Sequence, residues 1–268
     1  PDWIYHYETR VSDTSRVQYV LNVTKPEVRE FIYNMLDNLL TKYDIDYIKW
    51  DANRPISQTG PQRDIWYKHI QTVYDIVREL KKKHPQVLFE ACASGGGRID
   101  YGILSIFDDF WTSDNTDAYD RLYIQDAYSR IYPIKAMRAW VTDCPNFLSA
   151  RVIPLKFRYH SAMMGSLGIG CNILKFTDEE TELSKDMIRQ YKEIRPIVQE
   201  GDFYRLDNPS ANEYFLYEYL KGEQGLIFAF LPQSKVCHRG TTIRLRGLGE
   251  DVLYTLHTSK GDITKSGA

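Results

Sequence analysis

Residues 46–54 read DYIKWDANR, and this stretch decides the fold and the site that we predict. A short β-type run delivers Lys49, Asp51 and Asn53 in quick succession, before a polar loop that contains proline. Since residues two apart on a strand point to the same face, these three side chains can line one wall of a pocket. An ammonium beside a carboxylate keeps the carboxylate ionised, as a nucleophile or an electrostatic stabiliser requires. Taken alone, this motif has an alternative interpretation, in which Asp51 only caps the loop that follows the strand.

Helical and strand patterns alternate on both sides of this stretch. Apolar residues at helical spacing predict helices over 24–43 and 62–83, the first opening with Thr24 and Glu27 as a capping box. Further strands are predicted at 87–90, 109–111, 139–141 and 163–173, and further helices at 120–128 and 177–198, the last opening with a Thr177–Glu180 capping box. Such alternation predicts a parallel sheet, either doubly wound or closed into a barrel.

The predicted secondary-structure pattern of the sequence changes after Gly201. Short strand patterns separated by turns follow, without helical periodicity, at 214–219, 225–231, 242–245 and 252–256. This pattern predicts a small antiparallel β domain over residues 203–268, behind an α/β part over residues 1–202.

The composition of the chain excludes several classes of function. A formal net charge of −2 over 268 residues disfavours a broad nucleic-acid or membrane surface, because both partners require a basic excess. No apolar run approaches the roughly 20 residues of a transmembrane helix. The chain starts at Pro1 instead of Met, which indicates a piece of a longer protein.

Cysteine and histidine spacing predicts neither a disulfide framework nor a metal site. The four cysteines lie far apart, at Cys92, Cys144, Cys171 and Cys237. Isolated thiols of this kind are typical of a reduced, cytoplasmic protein. The six histidines match no zinc spacing, so we expect no metal and no other cofactor.

Two further polar clusters follow predicted strands. Residues 90–100 read EACASGGGRID, where three glycines let a backbone approach a ligand closely. A phosphate loop is the rival interpretation, but the spacing of neither phosphate-binding motif is present. Cys92 lacks a histidine partner in the sequence, so a packed or ligand-contacting thiol is favoured over a nucleophile.

The second cluster, residues 111–117, reads WTSDNTD and places carboxylates among small hydrogen-bonding residues. Its alternative role is a helix N-cap, which Ser113, Asp114 or Thr116 can serve. Together with the first motif, it defines a site with two carboxylates, Asp51 and Asp114, at the ends of two strands. Glycoside hydrolysis requires such a pair, one carboxylate to attack the anomeric carbon and one acid to protonate the leaving oxygen.

Three blocks resemble the signature motifs of glycoside hydrolase family 36 α-galactosidases, in the same order and with matching separations. They are residues 49–54 (KWDANR), 92–98 (CASGGGR) and 111–118 (WTSDNTDA). The later segments 167–170 (LGIG) and 191–196 (YKEIRP) also resemble that family, so the similarity covers nearly the whole chain.

The resemblance implies the fold of the whole chain. It is an α/β fold: a (β/α)8 TIM-barrel portion that holds strands 4–8 over residues 1–202, and a small antiparallel β-sandwich domain over residues 203–268. The chain begins shortly before the fourth barrel strand of that family. It is therefore expected to lack the N-terminal β-sandwich, the first three strands and the pocket residues that they contribute.

The resemblance also assigns roles to single residues. Asp51 would be the nucleophile that forms a galactosyl-enzyme intermediate, and Asp114 the general acid that later acts as the base. The implied substrate-binding residues are Lys49, Trp50, Asn53, Cys92, Ser94 and Gly95, with Trp50 as a wall or core residue. Arg98 is expected to form a structural ion pair. Many family members carry glycine where this chain has Ser94.

The function expected from this resemblance is retaining hydrolysis of terminal α-galactosides of the raffinose or melibiose type, with the carboxylates about 5–5.5 Å apart. The partner is then a galactose-containing oligosaccharide. A related α-N-acetylgalactosaminidase or galactosyl transferase stays open. The alternative class is a non-catalytic sugar-binding or assembly fragment, completed by an N-terminal barrel segment or by a second copy of the chain.

Overall fold

The computed structural model describes residues 2–207, 214–232 and 242–267, which contain five α-helices and ten β-strands. The helices are α1 (Pro26–Lys42), α2 (Ile65–Lys83), α3 (Ala118–Ser129), α4 (Leu155–Ala162) and α5 (Asp178–Glu200). The strands are β1 (Tyr47–Asp51), β2 (Leu88–Cys92), β3 (Asp109–Trp111), β4 (Met137–Val141), β5 (Ser166–Ile169), β6 (Asp202–Arg205), β7 (Phe215–Lys221), β8 (Gln224–Phe230), β9 (Leu253–Thr258) and β10 (Gly261–Ser266).

The first five strands form one parallel sheet in the order β1-β2-β3-β4-β5. Each strand lies beside the next one in the chain, whereas a doubly wound sheet reverses its strand order at a switch point. The sequential order therefore selects the barrel alternative, and the five strands are a barrel portion. In the register of β1 and β2, Lys49 lies opposite Glu90 and Asp51 opposite Cys92.

Helices α1 and α2 bury part of their apolar stripes against the first strands of this sheet. The helical spacing in the sequence places one face of each helix toward the core, as the amphipathic pattern requires. The buried residues that share this core are Val28, Ile32 and Leu40 of α1, Val73, Ile76, Val77 and Leu80 of α2, and Phe89, Ala91 and Phe110 of the strands. This packing fixes the carboxyl end of β1, where the candidate site begins.

The two predicted capping boxes have opposite outcomes. Thr177 and Glu180 cap α5 reciprocally, with N···O distances of 3.2 and 3.1 Å. The Thr24–Glu27 box is wrong: the N-cap of α1 is Lys25, and Pro26 is the first helical residue. The Thr24 hydroxyl instead donates to the Asn22 side chain at 2.6 Å.

The antiparallel strands begin directly after Gly201, where the sequence pattern changes. β6, β7 and β8 form a three-stranded antiparallel sheet, and β9 pairs with β10 in a separate hairpin. The strand predicted at 242–245 is wrong, because these residues carry no strand pairing. The strand predicted over 163–173 shortens to β5, because residues 163–165 form a turn and residues 173–175 a 3-10 helix.

By compactness, the chain divides into two units: residues 1–114 with 136–138, and residues 115–135 with 139–268. The candidate residues from Lys49 to Asp114 all belong to the first unit. The domain boundary at residues 202 and 203 stays a prediction. In the described ranges, no helix has both the length and the apolar character needed to cross a membrane.

Candidate active site

Asp51 is the last residue of β1 and is exposed at the carboxyl end of the parallel sheet. The Asn53 amide group donates a hydrogen bond to the Asp51 carboxylate. The Asn53 carbonyl oxygen accepts two hydrogen bonds from Ser94, from its backbone N–H at 2.8 Å and from its hydroxyl at 3.2 Å. Asn53 therefore joins the loop after β1 to the loop after β2, and holds the Asp51 carboxylate through its other end.

Cys92 ends β2 directly opposite Asp51. Its side chain is buried, and burial is the largest cause that raises the pKa of the thiol to about 11. A hydrogen bond from the thiol to Asp51 raises the pKa further, while the Gly95 backbone N–H opposes both. At neutral pH, Cys92 is thus a protonated donor that packs beside the carboxylate, as the sequence favoured, and not a nucleophile.

We expect Cys92 to resist alkylation by iodoacetamide at pH 8. A pKa of about 11 in place of the ordinary 9.0 reduces the thiolate fraction about 100-fold at that pH, and burial slows access further. Peptide mass spectrometry over a time course measures the modification, with the exposed Cys144 as the internal control. Modification of Cys92 as fast as that of Cys144 would contradict this assignment.

Gly95 brings the loop after β2 against the segment that carries Asp114. Its φ of +86° lies in the left-handed region, and a Cβ atom there would come within 2.9 Å of the Ser113 Cα and 3.2 Å of the Asp114 backbone nitrogen. Only glycine fits this approach without displacing backbone. The role of Gly95 in the structure is therefore the close approach of the two loops.

We expect Gly95→Ala to destabilise the protein by roughly 2–4 kcal/mol, because backbone strain and backbone overlap add. Chemical denaturation measures the loss. Gly222→Ala is the matched control, since Gly222 also has a positive φ, of +59°, but open space around it. That control should cost only about 1–2 kcal/mol from strain. Equal losses for the two variants would remove the argument for a tight approach.

Asp114 is exposed beyond the end of β3, and the Trp111 indole N–H donates to its carboxylate at 2.9 Å. The alternative role of this cluster, a helix N-cap, belongs to another residue. The N-cap of α3 is Asp117, whose carboxylate accepts from the backbone N–H groups of Tyr119 and Asp120. Asp114 is thus not used for capping, and Trp111 fixes its orientation.

Lys49 projects from β1 two residues before Asp51, so the two share one face of the strand. Its ammonium lies 3.4 Å from the Glu90 carboxylate and 4.5 Å from the centre of the Trp111 ring. The sequence placed Lys49 beside Asp51; in the structure its ammonium pairs with the Glu90 carboxylate.

Trp50 and Arg98 lie outside the polar cluster. Trp50 occupies the opposite face of β1 and packs against the hydrophobic core, the position of a core residue. Arg98 donates to the Trp50 carbonyl oxygen and stacks on the Phe107 ring, and burial lowers the pKa of its guanidinium. These contacts give Arg98 a structural role, and within the described ranges it does not form the ion pair that the sequence predicted.

Two residues that reach the site, Arg16 and Glu90, could not be assigned to it from local sequence patterns. Arg16, in the segment before α1, has its guanidinium 3.5 Å from the Ser94 hydroxyl. Glu90 appeared inside a quoted motif, but its pairing with Lys49 depends on strand register. Arg16 belongs to no periodic pattern in the sequence. Its positive charge near a polar motif was the one signal that could indicate a role.

A cavity of 520 Å³ lies beside the site. Asn53 and Ser94 line it together with side chains of α2, including Trp66 and His69. Neither Asp51 nor Asp114 lines it, so the cavity is separate from the two candidate carboxylates. Among the described residues, no group of three or more histidine, cysteine, aspartate or glutamate side chains is arranged to hold a metal ion.

A parallel barrel sheet with two exposed carboxylates at its carboxyl end is typical of glycoside hydrolases. Comparison with known proteins identifies the family: the melibiase family model matches residues 1–201, and the chain belongs to this family. α-Galactosidase C of Emericella nidulans is 38% identical over 270 residues, covering 100% of this chain and 35% of that protein.

A solved structure in the same family matches the fold. The glycoside hydrolase family 36 α-galactosidase AgaA of Geobacillus stearothermophilus superposes with a TM-score of 0.92 at 34% identity, covering 100% of this chain and 38% of that one. Variants of AgaA have been crystallised in complex with raffinose and with stachyose. The chain spans about a third of the length of the curated relatives that it matches.

Proposed function

We propose that this chain carries the catalytic carboxylates of a retaining α-galactosidase that hydrolyses terminal α-galactosides of the raffinose or melibiose type. One observation carries the proposal: Asp51 ends β1, Asp114 follows the end of β3, and the Asn53–Ser94 and Gly95–Asp114 contacts draw their loops together. Family membership and the oligosaccharide complexes of AgaA support galactosides as the substrate class.

In the first chemical step, Asp51 attacks the anomeric carbon and Asp114 donates a proton to the leaving oxygen. The Asn53 amide donates to the Asp51 carboxylate and so aims it, while Cys92 lies directly opposite Asp51. Lys49 and Asn53 bind galactose hydroxyl groups. The leaving group departs as an alcohol, and a covalent galactosyl ester remains on Asp51.

In the second step, Asp114 acts as a base and removes a proton from water, which attacks the anomeric carbon and releases Asp51. Two inversions give net retention. An exposed Asp114 suits this role, because it must contact both the leaving group and the incoming water. A sugar hydroxyl that replaces water at this step would give galactosyl transfer.

Strand geometry allows the carboxylate separation that a retaining mechanism requires. Strands two apart in a sheet are separated by about 9.5 Å. Two aspartate side chains that converge from that spacing can reach the about 5–5.5 Å of retaining enzymes, whereas inverting enzymes need about 6.5–9.5 Å to admit a water. Gly95 brings the loop after β2 close to the Asp114 backbone.

A second candidate function is a sugar-binding or assembly fragment without turnover. The sequential five-stranded sheet favours it, because β1 and β5 stand at the two ends of the described sheet and a barrel closes with eight strands. Partner strands from an N-terminal barrel segment or a second copy would then complete the pocket.

The free thiols of Cys92, Cys144 and Cys171 support a cytoplasmic location.

Hydrolysis of p-nitrophenyl α-galactoside, with the first product followed by NMR, tests the proposal. We expect turnover with α-galactose as the first anomer released, and none with the β-galactoside. Release of β-galactose first would overturn the retaining mechanism. Galactoside binding without turnover, by folded protein, would favour the binding fragment.

A further inference from the structure

Glu90 is a fully buried carboxylate that the proposed reaction does not use. It lies on β2 opposite Lys49 and one layer below the Asp51–Cys92 pair. Resting on the proposed function, we propose that Glu90 is a positioning residue: it holds the Lys49 ammonium where Lys49 binds galactose hydroxyl groups beside Asp51.

One oxygen of Glu90 is anchored by groups on β1 and β4. The Tyr47 hydroxyl donates to Oε2 at 2.5 Å, and the Arg138 guanidinium lies 3.9 Å from the same atom. Burial, and then the hydrogen bond to Glu90, raise the pKa of Tyr47 above its ordinary value, so the hydroxyl stays a donor. Arg138 also pairs with Asp109 at 3.3 Å and lies over the Tyr47 ring. The carboxylate therefore has a fixed position.

The other oxygen of Glu90 faces Lys49. In the described ranges, Oε1 meets no hydrogen-bond donor at bonding geometry, and the ammonium lies 3.4 Å from it. A buried carboxylate oxygen requires a compensating group, so Glu90 attracts the Lys49 ammonium strongly. This attraction holds the end of the flexible Lys49 side chain at one position.

Contacts on the far side of Lys49 extend this arrangement to the second carboxylate. The ammonium lies 4.5 Å from the centre of the Trp111 ring, within the range of a cation–π interaction. The same indole donates to Asp114 at 2.9 Å. Glu90 is therefore linked through Lys49 and Trp111 to Asp114, while Lys49 shares a strand face with Asp51. Through Lys49 and Trp111, the buried charge of Glu90 thus positions groups next to both candidate carboxylates.

Glu90→Gln, which keeps shape and removes charge, tests the inference in the purified full-length protein. We expect kcat/KM for p-nitrophenyl α-galactoside to fall roughly 10- to 100-fold, the range that follows a misplaced binding group. Most of the change should be a rise in KM, because a hydroxyl-binding lysine acts on the bound substrate and the transition state alike. A role in folding alone would instead reduce the amount of active enzyme and leave KM unchanged.

A double-mutant cycle with Lys49→Met shows whether Glu90 acts through Lys49. In the Lys49→Met background, Glu90→Gln should change kcat/KM less than threefold. The double variant also leaves no unpaired buried charge, so it stays measurable if one single variant folds poorly. Independent, multiplicative effects of the two substitutions would overturn the inference.

Glu218→Gln is the matched control for removing a buried charge. Glu218 is also buried on a strand, and accepts from the Arg246 backbone N–H at 2.7 Å. Its KM should equal that of the parent enzyme. A parent enzyme without galactosidase activity would overturn the proposed function itself, whereas an active parent with an unchanged KM in Glu90→Gln would overturn only the role of Glu90.

Discussion

Asp51→Asn should lower kcat for p-nitrophenyl α-galactoside by on the order of 10⁴-fold or more. An amide cannot form the galactosyl ester, and the loss of a nucleophile in other covalent mechanisms has effects of this size. Asparagine keeps the side-chain shape, and Asp51 is exposed at the strand end, so the fold should be retained. Steady-state kinetics on purified protein, with circular dichroism to confirm folding, measures the effect.

Asp46→Asn provides the control for Asp51. Asp46 is exposed and precedes β1, at the end of the strand opposite to the candidate site. The same substitution there should leave kcat and KM within about twofold, as surface changes do. If Asp51→Asn kept more than a few per cent of the parental kcat, the nucleophile would have to be another group.

Asp114→Ala should lower kcat/KM far more for substrates with poor leaving groups than for substrates with good ones. Raffinose, whose leaving alcohol needs a proton, should lose on the order of 10³-fold or more in kcat/KM, near the upper part of the range for general acid catalysis. A p-nitrophenyl galactoside should lose far less in kcat/KM, because its leaving group departs without protonation. Its kcat should still fall, since water in the second step lacks its base.

Trp111→Phe is a graded test of the same assignment, because it removes the indole N–H that donates to Asp114 and keeps an aromatic ring. It should show the same preference for activated substrates in a weaker form. An equal loss of kcat/KM on raffinose and on the p-nitrophenyl substrate in Asp114→Ala would exclude Asp114 as the acid.

The local sequence predicted the strand ends and the polar residues that they present. β1 and the two carboxylates could be predicted because the alternation of apolar runs is strong and the motifs directly follow these runs. The Thr177–Glu180 box held because both side chains bond as its pattern requires. The Thr24–Glu27 box failed because Asn22 competes for the Thr24 hydroxyl, and Pro26 starts the helix one residue later.

The interactions that aim the site depend on strand register and on loop approach, which local patterns do not encode. Glu90 meets Lys49 because β1 and β2 pair with these residues opposite each other. Ser94 meets Asn53, and Gly95 meets Asp114, through loops that come together only in the folded sheet. Asp117 takes the N-cap of α3, although Ser113, Asp114 and Thr116, which precede it in the same motif, also suited this role by type.

Trapping of the covalent intermediate tests the central claim most directly. An α-galactosyl fluoride with a second fluorine at C5 slows both steps, while its fluoride leaving group keeps the first step faster than the second. Peptide mass spectrometry of the treated protein should show one 5-fluorogalactosyl adduct, on Asp51. An adduct on Asp114, or turnover with β-galactose as the first product and no adduct, would contradict the account.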